Sequence, residues 1–179
     1  MAETLLLRRL LWQGVFLALC ALVLFVHLLP LEIVAGGLPG PDILVLLAFA
    51  WVLRRPDFVP VFLVAAVMLL ADLLLLRPPG LWAAIVVLGH EFLRNREQGL
   101  RDMPFFVEWG LVASLLLLMT LGEALVLLLA AVDQPRLGLT LLELIVTILA
   151  YPVVVAVTVL AFGLRRAAPG EVDELGRRL

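Results

Sequence analysis

The sequence predicts an all-α integral membrane protein, a polytopic bundle of about six transmembrane helices. Its 179 residues are 64% hydrophobic, and the mean hydropathy is +1.17. Four apolar runs reach or approach the roughly 20 residues that a helix needs to cross a bilayer. They have almost no polar face at helical spacing, so lipid is their solvent, and in lipid helices satisfy the backbone internally. The four runs cover residues 10–29, 58–76, 105–132 and 139–162.

Two shorter apolar runs, at residues 43–53 and 81–93, complete the predicted bundle. At about 1.5 Å per residue they extend about 17–20 Å, less than the roughly 30 Å of hydrocarbon in a bilayer. They are either short spans or re-entrant segments buried against the other helices, which gives six or four crossings. The polar residues 95–104, which follow the second short run, predict the longest loop.

Turn-forming residues mark the breaks between these runs, and two aspartates accompany them. Asp42 and Asp57 each stand where a side chain can cap the following helix. The predicted organisation is one membrane domain over residues 1–166 and a short charged cytoplasmic tail over residues 167–179. The marker residues of the breaks are Pro41, Pro56 and Gly80.

The arginines predict that both termini are cytoplasmic. All 13 basic residues are arginine, and with six spans only Arg77 and Arg136 lie outside. Four spans leave ten arginines inside, so the count does not choose between six and four crossings. We favour six, because tryptophans near both short segments then fall at helix ends, where interfacial tryptophan is common. The tryptophans are Trp12, Trp51, Trp82 and Trp109.

The composition points away from several classes of protein. The formal charge of −2 does not suggest a nucleic-acid partner, and the single cysteine, Cys20, carries no disulfide or metal signal. His90 begins a motif similar to that of zinc proteases, but Arg94 stands where the second histidine is required. Ser114 lacks the flanking glycines of a serine hydrolase. We therefore expect no enzyme, no metal site and no cofactor.

Ionisable groups inside a membrane are costly, so two carboxylates are candidate functional residues. Asp72 lies late in a long run, about one turn before Arg77. It is either a buried polar contact or ligand site, or a carboxylate near the interface that is hydrated or paired with Arg77. Glu123 lies in the middle of a run that is longer than one span. It is either buried among helices or brought to the outer surface by a break at Gly122.

The last run carries a polar stripe. Its polar residues recur at spacings of 3, 4, 4 and 7, which places them on one face of a helix. In lipid such a face turns toward protein, either within this chain or in another membrane protein. Pro152 in the same run frees a backbone carbonyl group and predicts a kink. The stripe consists of Thr140, Glu143, Thr147, Tyr151 and Thr158.

The order of the marker residues along the chain resembles the pattern of a known family. A proline-rich loop precedes a short helix, a longer helix carries a late aspartate, a turn ends at glycine, and the final helix contains proline. Over about residues 8–166 this pattern resembles MreD, a membrane subunit of the bacterial rod-shape complex. One departure is that residues 73–76 lead into Arg77-Pro78-Pro79-Gly80 rather than into a Gly/Ser-rich turn. The markers are Pro41, Trp51, Pro56, Asp72, Gly80 and Pro152.

The resemblance implies a non-catalytic scaffold of the cell-wall elongation complex in the bacterial inner membrane. Implied partners are MreC foremost, then the RodA glycosyltransferase, a penicillin-binding transpeptidase and MreB filaments. Proteins of this shape also resemble the substrate-binding subunits of energy-coupling-factor vitamin transporters, so a small-molecule-binding subunit is the alternative. That alternative requires a pocket with several convergent polar or aromatic side chains, and the few polar residues in the runs favour the scaffold.

A lipid-modifying enzyme is a third interpretation. It needs a cluster of carboxylates at one membrane face, and Glu32, Asp42 and Asp72 are the candidates.

Overall fold

The protein is all-α over the residues that the structure describes. The computed structural model describes residues 2–29, 39–132 and 136–163. The predicted tail at 167–179, Arg165, Arg166 and Glu32 lie outside these ranges. The helices are α1 Ala2–Leu28, α2 Ile43–Val52, α3 Val61–Leu74, α4 Leu81–Leu100, α5 Phe105–Leu129 and α6 Leu137–Phe162.

Three of the helices are long and apolar enough to cross a membrane. They are α1, in its segment Leu6–Leu28, and the whole of α5 and α6. The predicted long run at residues 58–76 forms only the 14-residue helix α3. The reason is local: Pro56–Phe58 form a 3-10 turn, and Pro60 then occupies the N-cap of α3. The helix is therefore shorter than the predicted apolar run.

Helix α4 is longer than its apolar run, and the first half of the predicted loop at 95–104 is helical. Glu97 and Arg101 lie one turn apart and pair, with 2.6 Å between Oε1 and Nη2. The guanidinium of Arg96 lies over the ring of Phe92, 4.7 Å from its centroid. Buried Leu100 continues the inward face of the helix. These contacts extend the helix through a polar sequence.

Helix α2 is the central element of the bundle. Every residue after Ile43 is buried, as expected for a helix that is apolar on all sides. It packs against α1, α4 and α6. The predicted cap is confirmed, since Asp42 Oδ1 accepts a hydrogen bond from the Val45 amide at 3.3 Å. The prediction for Asp57 is wrong, because Asp57 lies inside the 3-10 turn and does not cap α3.

An aromatic cluster closes one end of the bundle, which we call the Arg54 end after the residue that follows α2. The ring of Trp12 stacks on Phe58 with centroids 5.5 Å apart. Trp51 packs against Phe162 at 5.8 Å and is fully buried. Trp51 is therefore enclosed by other helices rather than exposed on the outside of the bundle. The cluster joins α1, α2 and α6.

The opposite end, which we call the Asp42 end, is built around the start of α2. The indole of buried Trp82, at the start of α4, donates a hydrogen bond to Asp42 Oδ2 at 3.1 Å. The Asp42 amide donates to Thr147 Oγ1 of α6 at 3.0 Å. Trp82, like Trp51, is thus packed within the protein, and its indole N–H is bound by Asp42.

Successive helices alternate in direction between these two ends. Helices α2, α4 and α6 begin at the Asp42 end, whereas α1, α3 and α5 begin at the Arg54 end. The start of α1 and the end of α6 consequently lie at the same end of the bundle. Residues from different helices therefore meet at each end of the bundle.

Candidate functional site

Asp72 caps a helix other than its own. It is fully buried, and its Oδ2 accepts hydrogen bonds from the amides of Gly80 at 3.0 Å and Ala83 at 3.1 Å. These amides belong to the N-terminus of α4, where backbone donors lack helical partners and a negative charge is favourable. Gly80 has a φ of +85°, a conformation that favours glycine. Asp72 therefore fastens the turn between α3 and α4.

Arg77 does not pair with Asp72 through its side chain. Its amide donates to the Asp72 carbonyl at 3.0 Å, while its guanidinium reaches two other carboxylates. Nη1 lies 3.4 Å from Asp42 Oδ2, and Nη2 lies 3.7 Å from Glu143 Oε1. This arginine links the α3–α4 turn to α2 and α6. The predicted alternative that paired Asp72 with Arg77 is wrong for the side chains.

A cavity of about 390 Å³ lies beside Arg77 at the Asp42 end. Its wall combines charged and polar groups from α2, α5, α6 and the α3–α4 turn with leucine side chains. Several wall residues are partly exposed, so the cavity reaches the protein surface. The wall consists of Asp42, Leu76, Arg77, Pro78, Trp82, Leu116, Thr120, Glu123, Leu127, Val132, Leu139, Thr140, Glu143, Leu144 and Thr147.

Glu123 faces this cavity from an unbroken helix. Helix α5 continues through Gly122 to Leu129, so of the two alternatives for Glu123 the one that required a break at Gly122 is wrong. Within the described ranges, Glu123 makes no hydrogen bond or ion pair. It lines the cavity together with Thr120, whose hydroxyl donates to the Leu116 carbonyl at 2.9 Å.

A second group of charges, the Arg54 cluster, is completely enclosed. It consists of Arg54, Glu108 and Tyr151, which are 4%, 0% and 0% exposed. Arg54 Nη1 donates to Glu108 Oε1 at 3.1 Å and to the Ala50 carbonyl at 2.9 Å. The Tyr151 hydroxyl donates to the same Glu108 oxygen. The cluster joins α5 and α6 to the end of α2.

Sequence reasoning missed two members of this cluster. Arg54 was assigned to a cytoplasmic loop, and Glu108 was not singled out. The available signal was the position of Glu108, one turn inside an apolar run, together with the inward-facing Tyr151. Because a carboxylate in such surroundings needs a partner, these two residues already implied a buried cation.

The polar stripe of α6 faces the interior of this chain. Thr147, Tyr151 and Thr158 are buried, whereas Thr140 and Glu143 border the cavity. Thr158 donates to the Val154 carbonyl of its own helix at 2.8 Å. Because the buried residues are covered, they do not form an exposed docking face. The opposite side of α6 is apolar and exposed at Leu141, Ile145, Leu149, Val153, Val157 and Leu160.

Pro152 leaves the carbonyl group of Ile148 without its helical donor, four residues earlier. The indole N–H of Trp109 in α5 donates to this carbonyl at 2.9 Å. Helix α6 continues on both sides of the proline. The proline thus creates an acceptor on α6 that binds α5.

The two remaining candidate residues differ in exposure, since His90 is enclosed by protein whereas Ser114 lies on an exposed part of α5. His90 is fully buried in α4. At the preceding residue, Gly89, an added Cβ would lie 2.9 Å from Met119 Sδ and 3.1 Å from Phe49 Cζ. Ser114 donates to the Gly110 carbonyl at 2.8 Å. In the part of the chain that the structure describes, no group of three His, Cys, Asp or Glu residues is placed to hold a metal ion.

Comparison with known proteins returned no match to a family model, a curated protein or a solved structure.

Proposed function

We propose that this protein is a non-catalytic scaffold subunit of the bacterial cell-wall elongation complex, similar to MreD. The observation that supports the proposal is the structural use of the residues that carry the resemblance. Asp72 caps α4 at Gly80, Trp51 fills the aromatic cluster, and Pro152 supplies an acceptor for α5. These residues hold the helices of the bundle together, and none of them presents a reactive group. A scaffold protein needs a stable shape of this kind.

The proposal includes six crossings of the inner membrane, with the Arg54 end in the cytoplasm. The alternating helices and the arginine distribution support it. Helices α2 and α3 have 10 and 14 residues, so they extend about 15 and 21 Å at 1.5 Å per residue. Local thinning of the bilayer accommodates such lengths. Reporter fusions at residue 179 and within residues 54–57 test this, and a periplasmic signal at either position contradicts it.

The proposed partners are MreC first, then the RodA glycosyltransferase, a penicillin-binding transpeptidase and MreB filaments. Helices α1, α5 and α6 expose long apolar faces, which suit packing against a single transmembrane helix. Purification in mild detergent, followed by identification of the bound proteins, is the direct measurement.

Depletion in a rod-shaped bacterial host tests the function itself. We expect depleted cells to become round and the wild-type gene to restore rods. A variant that lacks the Asp72 cap, Asp72→Ala, should restore rods poorly. The matched control is Asp57→Ala, because Asp57 lies in a turn and its hydrogen bond to Arg9, among the described residues, uses its backbone oxygen rather than its side chain. Depleted cells that keep their rod shape would contradict the proposal.

The cavity favours one second candidate, a small-molecule-binding membrane subunit. Sequence reasoning expected few convergent polar groups, but four charged side chains and Trp82 border one cavity. Such a lining is typical of ligand pockets. Loss of uptake of a vitamin or another small solute, in depleted cells that remain rods, would favour this candidate over the scaffold.

A further inference from the structure

The cavity at the Asp42 end carries an excess of negative groups. Three carboxyl groups, those of Asp42, Glu123 and Glu143, border it together with one guanidinium, that of Arg77. Arg77 lies 3.4 Å from Asp42 and 3.7 Å from Glu143. The third carboxyl group, that of Glu123, has no ion pair within the described ranges. The negative charge without a positively charged partner is therefore that of Glu123.

A half-buried carboxyl group among leucine side chains is unfavourable unless a donor or a cation accompanies it. Arg77 already contacts two carboxylates. Thr120, the polar neighbour of Glu123 one turn earlier on α5, donates its hydroxyl to the Leu116 carbonyl of its own helix. A positive group supplied by a ligand would therefore complement Glu123. An anionic ligand would meet three carboxyl groups and is disfavoured.

Apart from three threonines, the rest of the wall is largely apolar. Leu116, Leu127 and Leu144 line the cavity, together with the indole of Trp82. These surfaces match hydrocarbon, and an indole face also attracts organic cations. The volume of about 390 Å³ lies within the range typical of pockets for small organic molecules.

We propose that this cavity binds the primary ammonium group of an amphipathic molecule, with Glu123 as its counter-ion and the leucine wall around its hydrocarbon. The proposal does not depend on the scaffold function, because a scaffold and a transporter subunit can both hold such a molecule. Two sources carry this chemistry: the ethanolamine headgroup of a phospholipid, and a free alkylamine.

Binding to the purified full-length protein in detergent tests the proposal with two pairs of probes. The first pair is phosphatidylethanolamine and phosphatidylglycerol with identical acyl chains. The second pair is octylamine and octanol. We expect the amine-bearing member of at least one pair to bind about tenfold more tightly, as a charge-assisted contact implies. Preference in the first pair identifies a lipid as the source, and preference only in the second identifies a free amine.

Variants locate the site. Glu123→Gln keeps the shape of the side chain and should abolish the preference for the amine. Glu91→Gln is the matched control, because Glu91 is similarly half-exposed but lies outside the cavity, and it should keep the preference. Leu139→Trp, at the exposed rim of the cavity, should weaken binding of the amine probe while the protein remains folded.

Equal binding within both pairs would overturn the proposal, and so would a preference that survives in Glu123→Gln. The same variants in the cell-shape assay report separately on the scaffold function. Failure of the binding assay with normal rods would thus refute the ligand site alone.

Discussion

At the Arg54 end, Arg54, Glu108 and Tyr151 share hydrogen bonds in a closed interior, whereas at the Asp42 end Arg77 and Glu143 border a cavity. The first three side chains are at most 4% exposed. Arg77 and Glu143 are 32% and 38% exposed, and their closest atoms are 3.7 Å apart. Both groups contain an arginine and a glutamate, and both tie α6 to its neighbours. They differ in access to the surroundings.

This difference determines what each group contributes. Removing one partner of an enclosed ion pair leaves an uncompensated charge, which is strongly destabilising. A partly exposed pair is screened and contributes little to stability. The Arg54 cluster is therefore structural, while the charges at the Asp42 end keep the capacity to interact with something else.

The largest expected effect is at the closed end. Arg54→Met should lower the free energy of unfolding by about 3–5 kcal/mol, because it breaks a buried ion pair and removes the guanidinium that contacts the Glu108 carboxylate. Thermal and denaturant unfolding in detergent measures this. Arg55→Met is the matched control, since no ion pair to a described residue is observed for Arg55, and it should change little. Substantial recovery in the double variant Arg54→Met/Glu108→Leu would support the assignment of the loss to the broken Arg54–Glu108 ion pair.

The cap on α4 should have the next largest effect. Asp72→Ala removes the acceptor of two amides at the start of α4, one of them buried and one part-buried, so we expect a loss of about 1–3 kcal/mol. Asp72→Asn keeps a side-chain oxygen and should lose less. Unfolding curves of the two variants decide the point. If the alanine and asparagine variants were equally destabilised, charge rather than hydrogen bonding would be responsible.

The contact between α5 and α6 should contribute about 1 kcal/mol, the typical net value of a hydrogen bond. Trp109→Phe removes the donor to the Ile148 carbonyl. In a Pro152→Ala background, the residue at 152 supplies its own amide to that carbonyl, so the penalty of Trp109→Phe should fall. A double-mutant cycle measures this coupling. Strictly additive effects would show that proline does not create the acceptor.

The smallest effect is expected at the open end. Glu143→Gln weakens a pair that is already partly exposed, so the free energy of unfolding should change by less than about 1 kcal/mol. The same unfolding assay that detects Arg54→Met provides the comparison. A loss as large as that of Arg54→Met would mean that the Asp42 end is as closed as the Arg54 end.

Particular residues show how far sequence reasoning extended. The cap at Asp42 follows from a helix that starts at the next residue, so it was predictable from local chemistry. The length of α3 was overestimated, because hydropathy does not register the 3-10 turn at Pro56. The length of helix α4 was underestimated, because hydropathy does not register the Glu97–Arg101 pair that supports its last turns together with buried Leu100.

The pairing of charges could not be predicted in the same way. Asp72 and Gly80 are eight residues apart, but Arg54 and Glu108 are separated by 54 residues and Asp42 and Thr147 by 105. No periodic pattern in the sequence predicts a contact between residues that are so far apart along the chain. Their contacts depend on which helices become neighbours around α2.

The sequence by itself determined that the chain is helical and apolar, because an uninterrupted hydrophobic run and its turn residues act through local chemistry and through the solvent. It also determined that the polar side of α6 faces protein, since a helix places residues of that spacing on one face. Only the tertiary structure decided which charges are enclosed and which border a cavity. Enclosure depends on the packing of helices from distant parts of the chain, and it sets both the solvent access and the strength of each ion pair.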